Sequence, residues 1–215
     1  HTDVIDPVEA RTIASSIETW RYEVMVDDKA NIPSNILPIY NGHTYIETPP
    51  AAHWFHMLAF LSLDKDEPTT QFIFYARLVS IFFAMLTVAA VYWSGFSIGG
   101  LTPALLAAFI CIANPYFTHY GRLARPEMVA LGWSMIAIAS ALWALRPLKP
   151  AASLWRQVLG CVISGLAMGL AVLSGGFHLL ILIILPLTVI IFLCPHRLNH
   201  LLGLVAAVFV AALLL

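Results

Sequence analysis

FIFYARLVSIFFAMLTVAAVYWSGFS, residues 72–97, decides the fold. It exceeds the roughly 20 mostly apolar residues that a helix needs to cross the hydrocarbon core of a bilayer. Five more such segments follow, at about 101–118, 127–145, 157–175, 177–194 and 199–215. The connections are short. Ser97-Ile98-Gly99-Gly100 reads as a tight reversal and Ser174-Gly175-Gly176 as another. Pro103 falls near the start of the second segment, where proline is tolerated, and Asn114-Pro115 near its end. The reading is an all-α, polytopic transmembrane helix bundle of about six spans over residues 71–215, with extracytoplasmic juxtamembrane helices and a loop over residues 1–70.

Composition agrees. The chain is 60% hydrophobic and 11% charged, whereas soluble domains carry roughly a quarter charged residues. Eleven of the 12 Asp and Glu lie within the first 67 residues, and the exception is Glu127. A net charge of -1 gives no footprint for nucleic acid. Cys111, Cys161 and Cys194 sit in or beside apolar runs at spacings of neither a zinc site nor a disulfide framework, and read as small buried residues. The chain begins at His1 without a methionine and stops inside LLGLVAAVFVAALLL, so it reads as part of a longer protein.

Orientation follows the Lys and Arg of the short loops. RPLKPAASLWR carries Arg146, Lys149 and Arg156, and CPHRLNH on the same side carries Arg197. HYGRLARPE on the opposite side carries Arg122 and Arg125. The first side is therefore read as cytoplasmic and the acidic N-terminal segment as outside. In that segment DPVEARTIASSIETW reads as a helix, with Asp6 as cap, Pro7 in the first turn and Glu9 at the positive end of the dipole. Val8, Ile13, Ile17 and Trp20 suggest its apolar face. NIPSNILPIYNGHTYIETPP reads as a proline-broken loop with a turn at Asn41-Gly42. AAHWFHMLAFLSL, residues 51–63, is too short to span and reads as an interfacial or re-entrant helix, with His53, Trp54 and His56 at headgroup level.

The order of these pieces resembles the GT-C superfamily of polytopic glycosyltransferases, which includes the aminoarabinose transferases of lipid A and the protein O-mannosyltransferases. DPVEARTIA is similar to that family's P-D-E-x-R-Y helix, and NGHTYIETPP to its N-G-x-x-Y-x-E-K-P-P loop. YARLVSIFFAMLTVAAVYW resembles its A-R-L helix start, ANPYFTHYGRLARPEM its A-R-x-A-R-P-D-M turn, and GLAMGLAVLSGG its G-L-A-x-G-L-A-x-L-T-K-G helix end. The resemblance runs from about residue 5 to 195. It implies transfer of a sugar from a polyprenyl phosphate to an acceptor at the outer membrane face, beneath a roof of juxtamembrane helices and loop. The implied setting is the bacterial inner membrane, as part of the cell-envelope machinery, with membrane lipids and the polyprenyl-phosphate sugar as partners.

Such chemistry needs a carboxylate to take the acceptor proton and cations to hold the departing phosphate. The resemblance points to Glu9, helped by Asp6, for the first role. Helix-end pairing and capping are the structural alternatives for these two. Glu127, the sole acid of the membrane domain, lies beside Arg122 and Arg125, and together they are read as phosphate- and sugar-binding, against an interfacial ion pair. Glu47 falls where relatives bind metal or phosphate. His43, His53 and His56 could join it on a divalent ion, but the spacing matches no metal signature, so no cofactor is expected. Three positions depart from the pattern: Val8 replaces the family aspartate, Thr48 the loop lysine and Gly175 a helix-end lysine. Those departures also fit a non-catalytic membrane subunit with partner subunits. A transporter has no support, since charge inside the spans is scarce and no matched pair of broken helices occurs.

Overall fold

The computed structural model describes residues 6–21, 39–41, 43–44, 50–64, 66–145 and 153–176. The expected spans at 177–194 and 199–215 lie outside the described residues, as does Glu47. The elements are α1 (Pro7–Arg21), β1 (Ile39–Tyr40), β2 (His43–Thr44), α2 (Ala51–Phe60), α3 (Thr69–Gly99), α4 (Leu101–Ala113), α5 (Pro115–Tyr120), α6 (Pro126–Leu145) and α7 (Ser153–Gly175). The fold is an all-α polytopic bundle. Among the described residues three helices are long and apolar enough to cross a membrane, Thr69–Gly99, Pro126–Ala144 and Trp155–Gly175.

The 101–118 segment is not one span. Pro115 cannot donate to the helix before it, and Asn114 turns to extended backbone with ψ 116°. Its side chain then accepts from the amides of Tyr116 (2.9 Å) and Phe117 (3.3 Å), which caps a new short helix. The reversal before α4 needs only Gly100, whose φ of 83° suits glycine. It lets α4 lie so close on α3 that a Cβ on Gly95 would meet the Ala104 Cα at 2.8 Å.

α3 buries a single stripe, Phe72, Ala76, Ser80, Phe83, Thr87, Ala90 and Ser94, at three- and four-residue steps. Small residues dominate it, as expected where helices must approach closely without a hydrophobic driving force between them. α6 and α7 pack the same way. Ala137, Ala167, Met168 and Ala171 form their core, a Cβ on Gly160 would lie 2.6 Å from that of Ala144, and Ser164 Oγ donates to the Ala137 carbonyl at 2.9 Å.

The juxtamembrane layer is held in two ways. Ile13 and Ile17 of α1 join Phe60, Leu63, Phe72, Ala76 and Ala124 in one cluster. Beside it runs a polar seam. Ser15 and Ser16 donate to the Thr12 carbonyl at 3.0 and 2.8 Å. Ser16 Oγ also meets Nδ1 of His53 (2.9 Å) and of His56 (3.3 Å), and Ser15 Oγ meets His53 Nδ1 at 3.2 Å. With the hydroxyl protons spent on Thr12, the imidazoles are the donors, so both carry the proton on Nδ1. The histidines expected at headgroup level are thus buried against α1, because α1 offers a hydroxyl face that satisfies them. The loop expected over residues 31–50 contains a small hairpin, Ile39 opposite Thr44 and Tyr40 opposite His43, turning on Asn41 at φ 54°. The Asn41 amide donates to Glu18 Oε2 at 2.7 Å and ties the hairpin to α1.

Burial pushes His53 down to about 4. Burial, with repulsion from His53, pushes His56 down to about 3. Both are neutral at pH 7 in the folded chain, while a free imidazole titrates near ~6.5. Between those values the unfolded chain binds more protons, so stability rises with pH. The full contribution is present above pH ~6.5, and each histidine forfeits about 1.4 kcal/mol per pH unit below it. Melting of the detergent-solubilised chain should be level from pH 8 to 7 and fall steeply toward pH 5, with the slope roughly halved in His53→Asn. A level profile in the parent would contradict the neutral seam.

Candidate functional site

The polar atoms of the roof converge where the N-terminus of α1 meets the turn between α5 and α6. Asp6 precedes α1, and its Oδ1 accepts the amides of Val8 (2.9 Å) and Glu9 (3.4 Å) as an N-cap. One turn on, Glu9 is fully buried at 0% exposure. Its Oε1 accepts from Arg77 Nε at 2.8 Å and from the Ala124 amide at 3.0 Å, and its Oε2 accepts from Arg77 Nη2 at 3.1 Å. A two-pronged guanidinium–carboxylate contact of this kind fixes direction as well as distance. One carboxylate therefore joins α1, α3 and the α5–α6 turn.

Arg125, the next residue after Ala124, reaches back to α1. Its Nη2 lies 3.5 Å from Asp6 Oδ1, with the arginine side chain 13% and the aspartate 31% exposed. The guanidinium lies 4.7 Å over the Tyr120 ring, and its Nε is 3.9 Å from Glu127 Oε2, whose side chain is 58% exposed. The Val8 amide hydrogen bond holds Asp6 below the usual carboxylate range. Arg125, the Glu9 amide and His119 act the same way, against the opposing effect of burial. Asp6 is therefore ionised at neutral pH, and its stabilising contribution is lost only in acid, as pH falls through its lowered value.

Arg122 is exposed and heads a groove of about 840 Å³ between α3, α4 and α5. Ile81, Met85, Val88, Ile112 and Phe117 line it, and among the described residues Arg122 is the only charged one on it. The groove runs along α3 from Ile81 to Trp93, about 18 Å of helix at 1.5 Å per residue.

Of the residues expected from sequence, the structure brings Asp6, Glu9, Arg125 and Glu127 into one cluster and places Arg122 on the groove beside it. His53 and His56 lie elsewhere, in the α1–α2 seam. Among the described residues no three His, Cys, Asp or Glu are placed to hold a metal ion. Sequence reasoning missed Arg77, Tyr120 and the Ala124 amide. The signal for Arg77 was present: it is the lone charge in the 72–97 span, and such a charge requires a partner.

A helical bundle with three helices long and apolar enough to cross a membrane among the described residues defines an integral membrane protein. The chain belongs to the dolichyl-phosphate-mannose-protein mannosyltransferase family, whose model matches residues 51–214. It is similar in fold to the crystal structure of ArnT from Cupriavidus metallidurans in the apo state, at 22% identity and a TM-score of 0.70. The same is true of ArnT from Cupriavidus metallidurans bound to undecaprenyl phosphate, at 20% identity and a TM-score of 0.73. In each comparison 98% of this chain is covered, and the chain spans 36% of that protein. No curated protein matches the chain.

Removing one partner of a buried ion pair leaves the other uncompensated, at a cost of about 3–5 kcal/mol when both are buried. Arg77 is 33% exposed, so Glu9→Ala should cost less, about 2–3 kcal/mol. Denaturation in mixed micelles measures it. A loss below about 0.5 kcal/mol would show that the junction contributes little.

Proposed function

We propose that the chain is the N-terminal part of a membrane glycosyltransferase that moves a sugar from a polyprenyl phosphate to an acceptor hydroxyl at the outer face of a bacterial inner membrane. The observation that carries this reading is the Asp6–Arg125 pair standing beside an apolar groove headed by Arg122. An anionic head with a long apolar tail fits that arrangement, since arginine holds phosphate well and the groove is lined almost wholly by apolar side chains. Family membership supports the same reaction class.

The acceptor oxygen attacks the anomeric carbon from the face opposite the phosphate, and the bond from that carbon to the phosphate oxygen breaks. The phosphate leaves with the electron pair, and the acceptor proton passes to Asp6. The anomeric configuration inverts. The leaving phosphate needs no proton, so the demand falls on cations that hold its growing charge, the role given to Arg122 and Arg125. Glu127, within 3.9 Å of Arg125, orients that arginine or the sugar. Glu47 is retained as a substrate-binding residue of the outer loop. Asp6 is preferred to Glu9 as proton acceptor because the Glu9 oxygens are buried and engaged by Arg77 and Ala124. Asp6 keeps Oδ2 outside its cap contacts.

A second reading, a non-catalytic subunit of a larger assembly, is favoured by Val8 at the family's aspartate position. One variant separates the two. Serine caps a helix about as well as aspartate, so Asp6→Ser should melt within about 0.5 kcal/mol of the parent. It should nonetheless lose at least ~100-fold in transfer from labelled undecaprenyl-phosphate-linked aminoarabinose or mannose in proteoliposomes. Arg122→Gln should raise KM for the lipid donor. Turnover unchanged in Asp6→Ser rejects the assignment. A parent without turnover that copurifies with stoichiometric partners supports the subunit reading.

A further inference from the structure

We infer that Glu9 and Arg77 form a positioning pair, which docks α1 on the α5–α6 turn so that Asp6 stands against Arg125. The inference rests on the reading of Asp6 and Arg125 as working groups and adds Arg77 as a determinant of that site. Neither member of the pair is assigned contact with substrate.

The geometry is a short chain of fixed separations. Glu9 is three residues after Asp6, so the two share one face at the start of α1. Ala124 immediately precedes Arg125. The Glu9 carboxylate grips the Ala124 amide at 3.0 Å and the Arg77 fork at 2.8 and 3.1 Å. Each anchored atom therefore lies within one turn or one residue of the group it would place, and the two groups meet at 3.5 Å. The apolar cluster of Ile13, Ile17, Phe72, Ala76 and Ala124 holds α1 down. Apolar burial is non-directional, however, and sets no angle about the α1 axis. A charged fork with an amide as third point does. Arg77 springs from the membrane helix α3, so the register of the roof is set from the bundle itself.

The test uses the full chain in nanodiscs, with undecaprenyl phosphate as the probe. Asp6 competes with the lipid phosphate for Arg125, so Asp6→Asn should tighten binding about two- to fivefold in the parent. In Arg77→Lys and Glu9→Gln the first turn of α1 loses its tie to the bundle, since the Ser15, Ser16 and Glu18 contacts hold only later turns, and Asp6→Asn should then change binding less than about 1.5-fold. An equal effect of Asp6→Asn in all three backgrounds overturns the positioning pair. A general loss of stability would shift all affinities together without removing this coupling. A second measurement is independent of lipid binding. Spin labels replace Ala10 on α1 and Tyr116 on α5, with Cys111, Cys161 and Cys194 changed to alanine. They should give one sharp distance in the parent and a broadened or displaced one in Arg77→Lys and Glu9→Gln. An unchanged distribution overturns the inference. A parent that binds no undecaprenyl phosphate removes the lipid reading alone, and the spin-label distances still decide the pair.

Discussion

A carboxylate with no access to water is tolerable only if its charge is matched where it lies. Glu9 meets that condition through Arg77, 68 residues later, and the Ala124 amide, 115 residues later. Both partners belong to the membrane bundle, and Glu9 belongs to the roof. The requirement to compensate one buried charge thus becomes a requirement that roof and bundle come together in one arrangement. A hydrophobic residue at position 9 could pack as well, but it would leave Arg77 without its carboxylate and the start of α1 free to roll. Directional compensation is the use for which buried ionic groups are best attested.

The rest of the roof applies the same economy without net charge. α1 carries Thr12, Ser15 and Ser16 on the face it turns to α2, and α2 answers with His53 and His56. Each serine proton goes to a carbonyl one turn back, which leaves the hydroxyl oxygens for the imidazoles. The seam is therefore polar, satisfied at Nδ1 and uncharged, a mode of packing suited to short helices at a membrane surface. His56 Nε2 is buried without a hydrogen-bond partner among the described residues, a cost borne by the apolar packing around it, including the stacked Phe60 ring. Roof and groove then differ in kind: polar contacts of fixed direction hold α1 on α2 and on the α5–α6 turn, whereas the groove between α3, α4 and α5 is lined almost wholly by apolar side chains.

The long helices were legible because a membrane span is written in consecutive residues. So was the cap of α1, since aspartate before proline and a glutamate three positions after the cap state their own local geometry. The break at Asn114-Pro115 was also written locally, but hydropathy carried the reading past it: an apolar window does not register a missing backbone donor. What could not be read was pairing between elements. Periodicity marks Ile13 and Ile17 as one face, yet nothing in the α1 sequence names His53 as the partner of Ser16. Glu9 and the Arg122–Glu127 turn were recognised as charged neighbours of a site, but Arg77 was passed over inside an apolar run. Its pairing with Glu9 depends on a fold in which α1 meets the first turns of α3. A lone arginine in a span announces that a partner exists and not which one it is.

The distinction between an anchoring and a working carboxylate is physical. Glu9 accepts three hydrogen bonds and sees no solvent. Its partners lie on α3 and on the α5–α6 turn, and loss of either opens the junction between roof and bundle. Asp6 has the opposite character. Two helix amides and Arg125 stabilise its charged form through Oδ1, so it is ionised well into the acid range, yet a third of its side chain surface remains open. A depressed pKa makes a weaker base, which would disable it in a reaction whose leaving group had to be pushed out by a strong nucleophile. Transfer from a phosphate is less demanding, because the leaving group departs as a stable anion and the acceptor proton becomes acidic only as the new bond forms. On the proposed reading a carboxylate that is ionised at neutral pH and a third exposed beside an arginine then suffices, and its loss of basicity is the consequence of the same amides that fix its position. On the proposed reading the two carboxylates of one helix turn divide the work, Glu9 holding the geometry through its three partners and Asp6 serving as proton acceptor through the oxygen left outside its cap contacts.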